Sequence, residues 1–290
     1  MSRPPRLHVP GGCYHVTLRG NHREDLFASS SDRATLNEIV ADALDRFDAR
    51  LHAFCWMTNH LHALVQIGES PLGNLVGSVA SRYSRYRHKA LGTTGHLFER
   101  RHGARLVAVD SYFLAVLRYV HLNPVKAGLA SDPGEYPWSS HRVYLGAESI
   151  GWVTTELGLS LLGGDLRDAR SAYSKLVGGS LPDDEIAIEE RVHPDDERIL
   201  GGDEFVARVR ATREPARERK TLDELASRVC ADHSIEVGLL RSGSRWHDLT
   251  PIRLELLERA VTTCVANLTE VARYLGRDPS TLSKQWKNSR

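Results

Sequence analysis

The sequence predicts an α+β domain built on a ferredoxin-like antiparallel sheet with helices, followed by an all-α domain of helix-turn-helix type. Three observations predict it. Short runs with strand alternation interleave with long amphipathic segments in the order strand, helix, strand, strand, helix, strand. A further helical segment follows the last strand and runs into a proline and a glycine. From Thr221 onwards the periodicity is purely helical.

The first strand is Cys13-Tyr14-His15-Val16-Thr17-Leu18-Arg19. Its alternation puts Tyr14, Val16 and Leu18 on one face and His15, Thr17 and Arg19 on the other. Gly20-Asn21 ends it with a turn signal. Ser31 or Asp32 caps a helix in which Leu36, Ile39, Val40, Ala43, Leu44 and Phe47 recur at helical spacing. Leu51 to Met57 forms the second strand and turns at Thr58-Asn59 into a third, beginning at His60. There Leu61, Ala63, Val65 and Ile67 face a core, while His60, His62, Leu64 and Gln66 share the other face. A helix from Leu72 to Leu91 follows, then a short strand from Arg105 to Val109. Asp110 or Ser111 caps the next helix, Tyr112 to Asn123, which continues past Pro124 and stops at Gly128.

Beyond it, Leu166 to Val177 predicts a modest helix. Asp183 to Glu197 holds eight acids and one arginine, with Pro182 and Pro194 near its ends, and predicts a linker or a solvated helix. Helices are expected at Leu222–Cys230, Ile235–Leu240 and Arg253–Val265. A terminal pair follows: Leu268, Val271, Ala272 and Leu275 pack one helix, Gly276 breaks it, and Asp278 caps the next with Pro279 at its first position. Leu282 and Trp286 anchor that last helix, leaving Ser280, Thr281, Lys284 and Lys287 on its other faces. The pattern fits a helix that enters a major groove, and equally a small structural bundle. The lysines and the terminal position favour DNA. The expected organisation is a catalytic domain at 1–150, a connecting helical and acidic linker at 151–218, and a helix-turn-helix domain at 219–290.

Composition narrows the function. With 41% hydrophobic and 26% charged residues in 290, wholesale disorder is excluded. No apolar run approaches the ~18 residues of a membrane span, and Met1 to Pro10 carries no signal-peptide core. Cys13, Cys55, Cys230 and Cys264 are scattered without a CxxC pair, which points to a reducing cytosol and against a cysteine-based zinc site. The net charge of +1 is uninformative, but its distribution is not. Between Arg82 and Arg105 lie Arg82, Arg85, Arg87, Lys89, Arg100, Arg101 and Arg105 against a single acid, Glu99. Such a run is either a solvated helix face or, interleaved with Tyr83, Tyr86 and Phe98, a surface for phosphates and stacked bases.

The candidate chemistry centres on His60-Leu61-His62. Two residues apart on a strand, the imidazoles share a face with Cα atoms roughly 6–7 Å apart, so both can reach one metal ion. Two core histidines bonded to backbone would leave the same pattern. Tyr119 and Asn123 are four apart and share a helix face. If that helix packs beside the histidine strand, His60, His62 and Asn123 can hold one Mg²⁺ or Mn²⁺, and Tyr119 can attack phosphorus. A phenol needs a metal or neighbouring cations to act this way. Two other classes share these residues: a DNA-binding regulator that has lost catalysis, and a metal-dependent nuclease that uses water.

These residues lie in a series of motifs: Tyr14-His15-Val16-Thr17-Leu18-Arg19-Gly20-Asn21, Asn59-His60-Leu61-His62, Gly95-His96-Leu97-Phe98-Glu99-Arg100-Arg101, Arg118 to Gly128, and Pro137-Trp138-Ser139-Ser140. In order and content they resemble the single-tyrosine HUH transposases of the insertion-sequence type, nearest the group associated with repetitive extragenic palindromes. The resemblance covers roughly the first half of the chain. It implies that His60 and His62 are the HUH metal ligands, Tyr119 the nucleophile, and Asn123 the third ligand, where other members carry Gln. It implies cleavage and joining of single-stranded DNA beside hairpins through a 5′-phosphotyrosine, without ATP, by a bacterial, cytoplasmic, nucleoid-associated protein. Arg19, Arg82, Arg85, Arg100, Arg101 and Lys126 are the expected nucleic-acid contacts of this domain, and a homodimer is compatible with it. Leu268 to Trp286 resembles the C-terminal DNA-binding domain of the bacterial replication initiator, with Pro279 a departure. That likeness implies duplex binding through Ser280, Thr281, Lys284 and Lys287.

Overall fold

A computed structural model describes residues 7–99, 102–179, 192–212, 222–242, 249–262 and 266–288. The chain divides into two compact units, Met1–Thr212 and Arg213–Arg290. In the first unit β1 (Cys13–Arg19), α1 (Ser30–Arg46), β2 (Arg50–Trp56), β3 (His60–Gln66), α2 (Leu72–Leu91), β4 (Gly103–Val107) and α3 (Val109–Lys126) follow in order. Then come α4 (His141–Leu145), α5 (Glu156–Ser160), α6 (Leu166–Gly178), β5 (Ile199–Leu200) and α7 (Asp203–Thr212).

The sheet runs β2-β3-β1-β4-β5. Its first four strands pair antiparallel in the ferredoxin-like order, and β5 adds to β4 in parallel. Strand alternation gives the sheet two apolar faces, and each is covered. Tyr14, Val16, Leu18, Leu61 and Val65 pack under α1 and α2 through Leu36, Val40, Leu75, Val79 and Tyr83. On the opposite face Cys13, Ala53, Cys55 and Leu64 pack under Phe113, Val116, Leu117 and Val120 of α3. The face that carries the histidines is therefore a second core, not a solvated surface. Its edge strand β2 is closed by the segment at 138–140: the N–H of Trp56 donates to Trp138 O, 2.8 Å, and the N–H of Ser140 donates to Phe54 O, 3.1 Å.

Several element ends differ from the sequence reading. Ser29, not Ser31 or Asp32, caps α1, and Asp32 completes the capping box from the third helical position. The helix α3 starts at Val109 after Ala108, without a side-chain cap, so Asp110 and Ser111 lie inside its first turn. That early start also ends β4 at Val107, two residues before the expected Val109. Pro124 lies inside α3, as expected, and Gly128 after it has φ +67°, which glycine adopts freely. The segment expected as a connector supplies α4 to α7 and β5 to the first unit: Tyr173 and Val177 of α6 join the core under α3, and Ile199 and Leu200 extend the sheet. Residues 180–191, most of the acidic run, lie outside the described residues.

The second unit is all-helical among its described residues: α8 (Leu222–Asp232), α9 (Val237–Arg241), α10 (Leu249–Thr262), α11 (Leu268–Tyr274) and α12 (Pro279–Asn288). Leu225, Val229, Leu256, Leu257, Val271, Leu275 and Leu282 form its core, with Trp286 packed against it. Cys264 lies outside the described residues. Among the described residues no helix is long and apolar enough to cross a membrane.

Candidate active site

The site is assembled where β1 and β3 lie side by side beneath α3. The register sets Thr17 opposite His62, Arg19 opposite His60 and His15 opposite Leu64, so His15 and His62 are diagonal neighbours on one face. Their rings stack at 9° with centroids 5.3 Å apart, and His15 Nε2 is hydrogen-bonded to His62 Nδ1 at 3.1 Å. The His60 ring stands edge-on to His62, 4.8 Å away. The Tyr119 ring comes from α3 and meets both buried rings edge-on, 5.4 Å from His62 and 5.5 Å from His15. Lys126, almost two turns further along α3, places its Nζ 5.4 Å from the Tyr119 ring centroid.

Burial and charge keep the His15 and His62 imidazoles neutral. Burial, with the Arg105 guanidinium across the strand pair, takes His15 down to about 3. His62 is held well below its usual value by burial first, then by the charges of His15, His60 and Arg19. Neutral rings have one lone pair each to offer. The His60 tautomer is set by Asn59: Oδ1 lies 2.7 Å from His60 Nδ1, while the Asn59 amide donates to Arg23 O at 3.1 Å. An amide oxygen can only accept, so His60 Nδ1 carries the proton and Nε2 the lone pair. For His62 to present Nε2 in the same way, its Nδ1–H must donate to His15 Nε2. Each histidine of the pair thus has a partner on Nδ1, the arrangement that orients imidazole ligands of metals.

Two imidazoles without a thiolate would suit a hard divalent ion held loosely. Among the described residues no three His, Cys, Asp or Glu side chains are grouped to hold an ion, so a third protein ligand would be an amide or nothing. Asn123, nearly buried, donates its Nδ2 to the Tyr119 carbonyl at 2.8 Å, which fixes the side chain along the helix and leaves Oδ1 as its acceptor.

The structure thus brings together His60, His62, Tyr119 and Lys126, with Arg19 near enough to act electrostatically on His62. It does not bring the basic helix there. Arg82 and Arg85 ride on α2, which packs on the other face of the sheet; Arg82 is paired with Asp42 of α1, and Arg85 is exposed. Arg87 is buried in an ion pair with Asp32 at 2.7 Å. Arg100 and Arg101 lie outside the described residues. In the second unit Ser280, Thr281 and Lys284 are exposed on α12, and the Lys287 side chain lies outside the described residues. Asp278 accepts from the Ser280 and Thr281 N–H groups and from the Ser280 hydroxyl, as a helix cap does. His15 and Asn59 also belong to the site, through their bonds to His62 and His60. The sequence signal for His15 is its place on the Thr17 and Arg19 face of its strand.

Residues 8–123 match the family described as Transposase IS200 like. Over that segment, 116 of the 290 residues, the chain is similar to the IS200-like transposases. The match spans β1 to Asn123 and so includes every member of the site except Lys126. Two solved structures are similar. The REP-associated tyrosine transposase bound to a REP hairpin shares 19% identity over 53% of this chain and 92% of its own, with a TM-score of 0.44. A protein described as a transposase from Deinococcus radiodurans R1 shares 20% identity over 39% of this chain and 91% of its own, with a TM-score of 0.30. No curated protein matches the chain.

Proposed function

We propose that the first unit is a single-tyrosine strand transferase that cleaves and rejoins single-stranded DNA beside hairpins. The observation that carries the reading is the Tyr119 ring set edge-on against His62, beside His60, within a segment that matches the IS200-like family. Tyr119 Oη gives up its proton to solvent and attacks phosphorus, the new O–P bond replaces the bond to the 3′ oxygen, and that oxygen takes a proton from solvent and leaves as a 3′-hydroxyl. The 5′-phosphate stays on Tyr119, so the bond energy is conserved and a second 3′-hydroxyl can reverse the step without ATP. His60 and His62, with Asn123, would hold Mg²⁺ or Mn²⁺, which supplies polarisation of a phosphodiester oxygen. Lys126 sets a positive charge where phenolate character develops, and Arg19 and Lys126 are placed to meet phosphates at the cleavage point. Arg100 and Arg101 would extend that contact along the strand, whereas Arg82 already answers Asp42 and the exposed Arg85, on the other face of the sheet, would meet only a distant stretch of DNA.

The second unit is proposed to bind duplex DNA as a helix-turn-helix. The supporting observation is α12, held by Leu282 in the core while Ser280, Thr281 and Lys284 face outward.

The proposal is tested by cleavage of a labelled hairpin oligonucleotide copied from the flank of the protein's own gene. Activity should vanish with EDTA and return with Mg²⁺ or Mn²⁺. Full activity in metal-stripped protein would remove the metal assignment. Cleavage that persists in Tyr119→Phe would point to the water-using nuclease, and binding without cleavage to the regulator.

A further inference from the structure

We propose that Ser140, His121, Tyr173 and His141 form a register lock that positions Tyr119 for attack; this rests on Tyr119 being the nucleophile. All four side chains are buried, and the cleavage chemistry uses none of them. The N–H of Phe54 donates to Ser140 Oγ at 2.9 Å, and Ser140 Oγ lies 2.8 Å from His121 Nε2. Tyr173 Oη stands between two imidazoles, 2.8 Å from His121 Nδ1 and 2.6 Å from His141 Nδ1. The protons count out with both rings neutral. If Ser140 O–H donates to His121 Nε2, then His121 Nδ1–H donates to Tyr173, and Tyr173 O–H donates to His141 Nδ1. The reversed chain satisfies the same atoms, with Ser140 O–H turned to Phe54 O at 3.5 Å.

A serine beside an imidazole invites a nucleophile reading, which burial excludes. Ser140 is fully buried and its oxygen already holds the backbone of β2. What the chain of bonds does is mechanical. It joins β2, α3, α4 and α6, and it does so at two chosen places. Phe54 is next to Cys55, which pairs with His62 across the β2–β3 ladder. His121 is two residues beyond Tyr119. The lock therefore ties the helix that carries the nucleophile to the strand beside the histidine pair.

Apolar packing alone would not fix that distance. Phe113, Val116, Leu117 and Val120 lie on Ala53, Cys55 and Leu64, a contact with no directional preference along the helix axis. A one-residue slip moves a helix about 1.5 Å, which apolar side chains can absorb by repacking and hydrogen bonds cannot. The Pro137-Trp138-Ser139-Ser140 motif gains a role here: Trp138 and Ser140 pair with β2 through their backbones, and Ser140 passes the connection on to α3.

The test uses the full-length chain and two variants, Tyr173→Phe and Ser140→Ala, each of which removes bonds from the lock and keeps the site's own residues. The readouts are the Mn²⁺ dissociation constant by electron paramagnetic resonance, the dissociation constant for the hairpin oligonucleotide, and the single-turnover rate of covalent adduct formation. Both affinities should change far less than the rate, because His60, His62 and Arg19 stay on their strands, while Asn123 and Lys126, which ride on α3, are each one contact among several. The rate should fall roughly tenfold to a hundredfold, the cost of displacing a reacting group by about 1 Å. A merely structural role would lower thermal stability and leave the rate of the folded fraction alone. An undiminished rate in both folded variants, with an adduct in the unaltered protein, would overturn the lock and spare the nucleophile. Failure of both variants to fold would also overturn it, since the bonds would then serve stability. No adduct in the unaltered protein would overturn the nucleophile assignment and the lock with it.

Discussion

Residues in this site are legible in the sequence to the extent that their relation is local. His60 and His62 are two apart on a strand, and Tyr119 and Asn123 four apart on a helix, so their shared faces follow from periodicity. His15 is different. Its bond to His62 depends on β1 lying beside β3 in one register, with the partners 47 positions apart in the chain, and no local pattern states that. Its role is accordingly testable on metal binding. In His15→Ala the acceptor for His62 Nδ1–H is lost, and Mn²⁺ affinity should fall ~10–100-fold, the usual effect of removing a ligand's supporting bond. His15→Gln, which restores an acceptor oxygen, should recover part of it. Unchanged affinity in His15→Ala would show that His62 needs no partner to present its lone pair.

At the scale of elements, the strands and long helices follow from alternation and spacing, while their ends do not. Ser29, Ser30 and Ser31 offer three similar caps in a row, and the choice of Ser29 depends on where Asp32 is needed. Asp32 closes the capping box of α1 and also accepts from Tyr86 and Arg87 of α2, so one carboxylate ends one helix and pins the next. Burial raises its carboxyl, but the Ala28 N–H, the Tyr86 hydroxyl, the Arg87 guanidinium and the Ser29 N–H more than offset this and hold it below the usual carboxylate range. Because the folded value is the lower one, the stability it contributes is complete above the unfolded value of about 3.9 and is lost as pH falls through the folded value. Asp32→Asn leaves Arg87 buried without its counter-charge and should cost about 3–5 kcal/mol at neutral pH in urea denaturation. The variant should also lose that part of the acid sensitivity. A loss below about 1 kcal/mol would place this pair with exposed ones.

For the whole molecule, the two-part plan is legible in the change from mixed to purely helical periodicity, and the boundary is not. The expected connector joins the first unit because Tyr173, Val177, Ile199 and Leu200 find their partners far back in the chain. The second unit has its own core from Leu225 to Leu282, so a fragment of residues 213–290 should fold cooperatively by itself. If α12 is a recognition helix, that fragment should bind duplex DNA in preference to single strands, and Lys284→Ala should reduce the salt dependence of binding. A folded fragment without that preference would leave the unit a structural bundle.

The central claim is that Tyr119 becomes covalently joined to DNA. Tyr83, Tyr86, Tyr112 and Tyr119 are all phenols on helices of the first unit, yet Tyr119 is the one set against His15 and His62 with Lys126 over its ring. The most direct measurement is mass spectrometry of peptides from full-length protein that has reacted with the hairpin oligonucleotide in Mg²⁺ and then been denatured. The expected result is a 5′-phosphodinucleotide or longer remnant on the peptide containing Tyr119, absent from Tyr119→Phe although that variant still binds the oligonucleotide. A remnant on another tyrosine, or cleaved DNA with no peptide carrying it, would contradict the claim.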